Sequence, residues 1–308
     1  MPGSTRSPRK DRRHNPNPRV RNILFTSGPR RLSGGRFSQQ SSARSVVVRE
    51  VETSSPAWPE AFDGLRIAHL SDCHLGGLMS LENAESMIKE IASREPDFVA
   101  VTGNVVDLQH AHARTLLDAL GNIGAPIGTA LVLSSDDERH DPHAILQIVK
   151  DAGIILLGNE AVQISRNGSK LHIAGIRGAT SAAKCANFVE QSCNGFAHLL
   201  LAHNPKAFGR AAEFGIPLTL SGHAHYRHIT MQTGPDHYPR AGGTRHRYRI
   251  FENGPSRLCV TVGGGDRMPP RKNNPAEFAM ITMRHASQAY IVEDEPPKRK
   301  RRRKRKAS

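Results

Sequence analysis

Short apolar segments in this chain end repeatedly in small clusters of Asp, Asn, Ser and His residues, and this pattern limits the possible folds. Leu65–Leu70, Phe98–Thr102 and 129–133 have the length and aliphatic content of buried strands. Between them, residues 81–92 carry apolar side chains at a helical spacing, and residues 144–149 show a similar pattern. Strand candidates then dominate the second half, at 161–165, 170–174, 197–201, 217–220, 257–262 and 278–283. This order predicts an α/β fold with a sheet core.

The polar clusters lie at the ends of the predicted strands, where α/β sheets bind their ligands. Five clusters can therefore converge although they are far apart in the sequence. They contain Asp72 and His74, Asn104 and Asp107, Ser135 with Asp136 and Asp137, His203, and His223 with His225. Carboxylate and imidazole groups together are the ligands of Zn, Mn and Fe sites. The pattern predicts a metal site at the carboxyl ends of the strands.

The clusters differ in how specific they are. An Asp-x-His tripeptide such as that at 72–74 often occurs by chance, and His203 alone is also typical of a hydrogen-bonded core histidine. The Gly-His-x-His sequence at 222–225 is more specific, because a glycine frees the turn and an apolar strand precedes it. The order of all five clusters is more specific than any one of them.

Several segments in this order resemble the calcineurin-like metallophosphoesterases and, among them, the bacterial subfamily of YkuE and the UDP-diacylglucosamine hydrolases. The segments are RIAHLSDCHLG, EPDFVAVTGNVVD, AGIILLGNEAVQI, LHIAGI, LLLAHNP, LTLSGHAH and MPPRKNNPAEFAMITM. They cover roughly residues 62–285, most of the chain outside its two ends. The resemblance implies a two-sheet sandwich flanked by helices, with a two-metal site at the strand ends.

The resemblance also implies which residues would bind metal. The residues at the ligand positions of the family are Asp72, His74 and His225 for the first cation, and His203 and His223 for the second. Asn104 stands where the family has a carboxylate that bridges both cations, and Ser135 stands where it has an Asn ligand. Two cations about 3.5–4 Å apart would generate a nucleophilic hydroxide and stabilise the attacking and leaving oxygens.

Three departures from the family pattern weaken the predicted centre. The neutral amide of Asn104 cannot bridge two cations as a carboxylate does, and Ser135 is a poorer ligand than the Asn that it replaces. The catalytic His of the family is also absent, and protonation of a leaving group is often worth about 10²–10⁴-fold in rate. Asp136, in the same loop, is a candidate source of replacement ligand charge and a candidate catalytic residue. Arg227 is a candidate contact for a phosphate, although a solvent-facing arginine is the commoner case. We therefore expect one Mn, Fe or Zn ion bound well, and a second cation bound weakly or not at all.

The positive charge of the chain is concentrated at its two ends. The formal net charge is +15, but residues 1–45 hold 11 Lys and Arg with one acidic residue, and residues 293–308 hold nine with three. The predicted domain at 46–292 is close to neutral, so the high pI does not identify it as a nucleic-acid-binding domain. Both ends lack apolar periodicity and are predicted to be disordered tails. They fit a solubilising role and a tether to an anionic membrane or nucleic acid equally well.

The cysteines and the apolar segments indicate the cellular compartment of the protein. The four cysteines form no CxxC pair, which favours a reduced, cytoplasmic compartment. No apolar stretch is long enough to span a bilayer, and the basic N-terminal segment lacks the apolar core of a signal peptide. We predict a cytoplasmic protein, with peripheral membrane contact through the tails as an option. The sequence does not indicate an oligomeric state.

Three functions are compatible with the sequence. The first is a metal-dependent phosphomonoesterase or phosphodiesterase, weakened by the departures above, that acts on a phosphorylated small molecule or lipid; the resemblance suggests a nucleotide-sugar lipid. The second is an inactive relative that binds metal or a phosphorylated ligand. The third is a tail-mediated binder of anionic membrane or nucleic acid. We favour the enzyme, because Asp72, His74 and both histidines of the segment GHAH are retained.

Overall fold

The computed structural model describes residues 46–75, 79–105, 110–139, 142–223, 250–265 and 276–286, with only the backbone at 110–112, 139 and 142. The strands in chain order are β1 (Val46–Ser55), β2 (Leu65–Leu70), β3 (Phe98–Thr102), β4 (Gly128–Val132), β5 (Ile155–Leu156), β6 (Glu160–Arg166), β7 (Ser169–Ile176), β8 (Leu199–Ala202), β9 (Leu218–Ser221), β10 (Ile250–Asn253), β11 (Ser256–Val260) and β12 (Ala276–His285). The helices are α1 (Leu81–Ser93), α2 (His110–Gly121), α3 (Pro142–Asp151), α4 (Ala182–Cys193) and α5 (Phe208–Glu213), with single 3₁₀ turns at Glu60–Phe62, Asp137–Arg139 and Pro205–Ala207. The predicted tails at 1–45 and 293–308 lie outside the described residues.

The strands form two mixed sheets of six strands each. The first has the order β1-β12-β2-β3-β4-β5, and the second has the order β10-β11-β9-β8-β7-β6. In the first sheet β2, β3, β4 and β5 are parallel to one another. In the second sheet β7, β8, β9 and β11 are parallel. Each sheet therefore has one edge at which the carboxyl ends of four strands meet.

The two sheets pack face to face over one apolar core. Ile67 and Phe98 of the first sheet belong to the same buried cluster as Leu199 and Leu218 of the second. Helices α1, α2 and α3 cover the outer face of the first sheet, and α4 and α5 cover that of the second. The two-sheet α/β sandwich flanked by helices that the sequence predicts is therefore confirmed.

Helix α1 shows how local sequence sets the element boundaries. Ser80 precedes the helix, and its hydroxyl accepts the backbone N–H of Asn83 at 3.2 Å, which satisfies one of the unpaired groups of the first turn. The residues buried on its inner face are Ala84, Met87, Ile88 and Ile91. Their spacing is the one from which the sequence predicts this helix.

Sequence patterning misses three strands of the observed sheets. β5 consists of two residues, too few to produce a pattern. β1 lies at the edge of its sheet and alternates irregularly between buried and partly exposed residues, with Val47 43% exposed. β10 also forms an edge, and two of its four residues are exposed. Edge strands lack the continuous apolar runs of strands that are buried on both faces, so these elements are hard to see in sequence.

None of the helices in the described ranges combines the length and the apolar character that a bilayer-spanning helix needs.

His69 couples the stability of the domain to pH. It is completely buried in β2, its Nε2 lies 2.9 Å from Thr102 Oγ1, and burial lowers its pKa from 6.5 to about 4 against the opposing charges of Asp72 and Glu277. The unfolded chain therefore binds a proton between pH 6.5 and 4 that the folded chain does not. We expect acidification through this window to remove about 3 kcal/mol of stability from this group. Urea unfolding of the wild type and His69→Gln at pH 7 and pH 4.5 measures the difference, and an equal pH dependence in both would contradict it.

Candidate metal centre at the strand ends

The predicted site residues follow strands of both sheets at the same edge of the sandwich. Asp72 follows β2 and Asn104 follows β3, whereas His203 and His223 follow β8 and β9 of the other sheet. Two backbone hydrogen bonds join the first two loops, from Asp72 N to Gly103 O at 2.9 Å and from His74 N to Asn104 O at 3.0 Å. The structure thus brings together residues that are far apart in the sequence, as the strand-end pattern predicts.

The backbone at these residues is held in the left-handed region. The φ angles are 53° at Asp72, 45° at His74, 53° at Asn104 and 66° at His223. This conformation costs a non-glycine residue about 1 kcal/mol or more, and such residues collect at functional sites because the surrounding structure holds them there.

Asn104 links the two sheets at the centre of the site. Its Nδ2 donates to Asp72 Oδ1 at 2.8 Å and lies 3.2 Å from Nε2 of His203. Asp72 is completely buried, and its Oδ2 accepts the backbone N–H of His223 at 2.8 Å and the hydroxyl of Ser71 at 2.8 Å. The amide therefore lies between the carboxylate of Asp72 and the imidazole of His203.

A hydrogen bond from Nδ1 of His203 fixes the orientation of its imidazole ring. Its Nδ1 lies 2.7 Å from the carbonyl oxygen of Thr102, which can only accept a hydrogen bond, so Nδ1 carries the proton. Nε2 is then an acceptor that faces Asn104 and lies 3.1 Å from Nδ1 of His223. An imidazole whose second nitrogen donates to a carbonyl is the usual arrangement of a metal-bound histidine.

Asp137 ties the loop after β4 to the loop after β3. Its carboxylate is completely buried and accepts the backbone N–H groups of Asn104, Ser134 and Val105 at 2.7, 2.9 and 3.1 Å. Burial raises the pKa of the Asp137 carboxyl, and the hydrogen bonds from Ser134 and Asn104 oppose that rise. The Ser134 hydroxyl lies between this carboxylate and the Asn104 side chain, 2.8 Å from Asp137 Oδ2 and 2.6 Å from Asn104 Oδ1.

The other predicted residues lie at different places around the centre. Nε2 of buried His74 is 3.7 Å from Asp72 Oδ1. Asp136 is partly buried, and its backbone N–H donates to the Ser134 hydroxyl at 3.2 Å. Ser135 is partly buried in the same loop, and within the described residues the serine hydroxyl that reaches Asn104 is that of Ser134. His225, Asp107 and Arg227 lie outside the described residues, so their roles stay predictions.

Two glycines allow other loops to approach Asp72 closely. A Cβ on Gly222 would lie 1.9 Å from Ser71 Oγ and 2.3 Å from Asp72 Oδ2, and a Cβ on Gly265 would lie 1.7 Å from the carbonyl oxygen of Cys73. The Gly265 N–H donates to Asp72 O at 2.9 Å. The loop after β11 thus supports the back of the site through contacts that a larger residue would prevent.

Sequence reasoning did not predict the structural roles of three contributors to this arrangement. Asp137 and Ser134 hold the loops together, and the glycines at 263–265 pack against the Asp72 segment. A signal for the glycines was present, since a run of three after an apolar strand indicates a close backbone approach. The buried loop acid had no signal beyond its place in a polar cluster.

The donor atoms of the described residues fit a divalent cation only in part. Nε2 of His203 and Nδ1 of His223 are separated by 3.1 Å, and two ligands about 2.1 Å from one ion and at right angles lie about 3 Å apart. Cys73 is buried beside Asp72, and burial raises the pKa of its thiol. Among the described residues, no three His, Cys, Asp or Glu side chains form a group that could hold a metal ion on their own. A cation therefore needs Asn104 or residues such as His225 in addition.

The chain is similar in sequence to proteins that are named metallophosphoesterases. It is 25% identical over 247 residues to the uncharacterized metallophosphoesterase YkuE of Bacillus subtilis, with 78% of this chain and 86% of that protein covered. It is 27% identical over 235 residues to an uncharacterized metallophosphoesterase of Helicobacter pylori, with 73% of this chain and 61% of that protein covered. The structure of TT1561 of Thermus thermophilus covers 65% of this chain and 90% of that chain, at 13% identity and a TM-score of 0.44. No family profile matches the chain.

The sandwich of two mixed sheets carries Asp, Asn and His residues together at its strand ends. The named relatives support the calcineurin-like metallophosphoesterase family for this chain. The finer assignment to the subfamily of the UDP-diacylglucosamine hydrolases stays a prediction. Members of this family use divalent cations, and the identity of the metal is likewise a prediction.

Proposed function

We propose that this protein is a metal-dependent phosphoester hydrolase that works mainly through one well-bound cation. The proposal rests on four residues that lie together at one edge of the sandwich, Asp72, Asn104, His203 and His223. The side chain of Asn104 contacts Asp72 and His203, and His223 contacts the same two residues. The named metallophosphoesterase relatives support the same class of reaction. Asp72 and His74 would hold the cation, with His225 as the third ligand.

Each residue of the proposed site would have a distinct role in the reaction. A bound divalent cation supplies the Lewis acidity that phosphoester cleavage requires. Asp72 and His203 are held in fixed orientations by buried hydrogen bonds, so they need little reorganisation when a ligand binds. Asp136, in the loop that carries Ser134, is the candidate proton donor to the leaving oxygen. Arg227 is the candidate contact for the substrate phosphate.

The proposed substrate class follows from the resemblance to metallophosphoesterases and from the positive charge at the two ends of the chain. We propose a phosphorylated small molecule or lipid, and the basic ends of the chain would suit a substrate at an anionic membrane surface. A cytoplasmic location with peripheral membrane contact is part of this proposal. Binding of the wild type and of a chain without residues 1–45 and 293–308 to anionic vesicles at several salt concentrations tests the role of the tails.

Hydrolysis of a generic aryl phosphodiester with Mn²⁺ tests the proposed activity. We expect slow turnover in the wild type and its loss in His74→Ala, because His74 is a proposed ligand of the first cation and its Nε2 lies 3.7 Å from Oδ1 of Asp72, the other proposed ligand. His172→Ala is the matched control, since His172 packs against Phe196 and His198, which precede β8 at the opposite end of the strands. Turnover that persists in His74→Ala would contradict the proposal.

A second candidate is a protein that binds metal or a phosphorylated ligand without cleaving it. The contact of the Asn104 Nδ2 with both Asp72 and His203 favours it, because these bonds stabilise the site without a cation. Elemental analysis of the purified protein together with the assay separates the two candidates. Bound metal without turnover supports the second, and turnover that His74→Ala abolishes contradicts it.

A further inference from the structure

The charged side chains at the carboxyl ends of the strands are divided between the two sheets. In the first sheet, the described segments at 71–75, 103–105 and 133–138 contain no Lys or Arg, and their acidic residues are Asp72, Asp136, Asp137 and Glu138. In the second sheet, the segments at 177–188 and 203–212, which follow β7 and β8, contain no acidic residue, and their basic residues are Arg177, Lys184, Lys206 and Arg210. Because the domain as a whole is close to neutral, this separation is a local property of the edge. The side of the second sheet therefore favours an anion.

Two of these four basic side chains are available to a ligand. Arg210 pairs with glutamates of α4 and α5, and the ammonium of Lys184 lies 5.6 Å from the centre of the Phe188 ring. Lys206 is exposed and has no ion-pair partner within the described residues, and the side chain of Arg177 is 52% exposed. Arg177 and Lys206 together are called the basic rim below.

Arg177 is held beside the loop that follows β4. Its Nε donates to Glu138 Oε1 at 2.8 Å, and its backbone N–H donates to Asn159 Oδ1 at 3.0 Å. A Cβ on the next residue, Gly178, would lie 2.1 Å from the backbone N of Ser135, so the two loops are in direct contact. Within the described part of the chain, the terminal nitrogens of the guanidinium have no hydrogen-bond partner. They can bind two oxygens of one anion.

Asn204 joins the loop of Arg177 to the turn that carries Lys206. Its Nδ2 donates to Ala179 O at 3.0 Å, and its Oδ1 accepts the backbone N–H of Lys206 at 3.0 Å. Ala179 O also lies 3.8 Å from Cys185 Sγ. Burial raises the pKa of the Cys185 thiol to about 11, and the charge of Lys206 opposes that rise. The charge of Lys206 therefore acts at the loop after β7, on the side where Arg177 lies.

The basic rim adjoins the candidate centre without being part of it. Arg177 contacts the residue that follows Asp137, and Lys206 lies in the turn that follows His203. Both Asp137 and His203 contact Asn104. These three residues are buried, whereas Arg177 and Lys206 are exposed. A group bound at the basic rim is therefore a different group from one bound at the centre.

We propose that Arg177 and Lys206 form a subsite for a phosphate group of the ligand, beside the centre at which the phosphoester would be cleaved. The proposal rests on the proposed function only for the identity of the cleaved group, since binding at the basic rim requires neither a cation nor turnover. The terminal nitrogens of Arg177 would donate to two phosphate oxygens while Glu138 holds its Nε, and Lys206 would add a second positive charge. The ligand would then carry a phosphate group in addition to the one that is cleaved.

A titration of the full-length protein with inorganic phosphate, in EDTA and at constant ionic strength, tests the subsite. NMR of the arginine Nε–H groups is the measurement, and the Arg177 resonance is identified by its absence in Arg177→Gln. Arg114 of α2 is the matched control in the same spectrum, because it is 49% exposed and pairs with one carboxylate, that of Asp151, at 3.0 Å. We expect the Arg177 resonance to reach half-saturation at a phosphate concentration about tenfold below that for Arg114. Equal responses of the two arginines, or no response of Arg177, would overturn the proposal.

A lysine variant tests whether the second cation belongs to the same subsite. Lys206→Gln should raise the phosphate concentration that half-saturates the Arg177 resonance by about threefold, the effect of one exposed charge. Lys184→Gln removes the same charge from α4, where the ammonium lies over Phe188, and should leave that concentration unchanged. Equal effects of the two lysine substitutions would contradict a subsite that contains Lys206.

The outcomes also separate the subsite from the proposed function. Phosphate binding at Arg177 in a protein without phosphodiester hydrolysis supports the subsite and contradicts the enzyme. Hydrolysis that depends on His74, in a protein whose Arg177 resonance does not respond to phosphate, supports the enzyme and contradicts the subsite.

Discussion

Asn104→Asp is expected to bind Mn²⁺ or Zn²⁺ about 10–100-fold more tightly than the wild type and to hydrolyse an aryl phosphodiester faster. The residue already lies within 2.8 Å of Asp72 Oδ1 and 3.2 Å of His203 Nε2, so the new carboxylate would stand between the two predicted cation positions. A carboxylate offers an anionic oxygen to each of two cations, whereas the amide offers one neutral oxygen. Without metal, the same substitution places two carboxylates together in a buried site.

This substitution should therefore couple stability to metal. We expect Asn104→Asp to unfold at a lower temperature than the wild type in chelator and at a higher temperature in excess Zn²⁺, because a ligand that binds only the folded state stabilises it. Asn194→Asp is the matched control, since Asn194 has a similar left-handed backbone, with φ 44°, at the end of α4 and away from the site. An equal metal response of Asn104→Asp and the wild type, in affinity and in unfolding temperature, would show that residue 104 does not face a cation.

The sheet core was predictable because its central strands read as continuous apolar runs. β3 is buried at all five positions and β8 at all four, as expected of parallel strands covered on both faces. The edge strands β1 and β10 are partly exposed and were missed. The division into two sheets was predicted from the family resemblance and not from the strand patterns, since strand pairing depends on residues far apart in the chain, such as Ile67 and Leu199 of one core cluster.

The residue types of the site were predictable from the sequence, but the hydrogen bonds between them were less so. The strand-end rule placed Asp72, Asn104 and His203 together, and the structure joins them by direct contacts. The role of Ser135 at the position of an Asn ligand stays a prediction, and the contact of Asn104 with the hydroxyl of Ser134 was not predicted. In an irregular loop the sequence does not show which of two neighbouring side chains faces a given residue. Only the structure shows that Ser134 faces Asn104.

Asp137→Ala is expected to cause a large loss of stability and, with it, a loss of cation binding. The carboxylate accepts three backbone N–H groups, from Asn104, Ser134 and Val105, in a place with no exposure to solvent. Its removal leaves these donors buried without their acceptor, and each such group costs about 1–3 kcal/mol. We expect a decrease of about 4 kcal/mol in the free energy of unfolding, measured by urea denaturation.

Asp151→Ala, which removes a surface carboxylate, is the control for Asp137→Ala. Asp151 on α3 is 40% exposed and accepts from Arg114 and Gln147, so Asp151→Ala should change the free energy of unfolding far less than Asp137→Ala. Because Asp137 positions the backbone of Asn104, Asp137→Ala should also weaken Zn²⁺ binding under conditions in which it is still folded. If Asp137→Ala and Asp151→Ala cost the same stability, the loop after β4 does not hold the loop after β3, and the left-handed backbone of Asn104 must be maintained by the bonds to Asp72 and His203 instead.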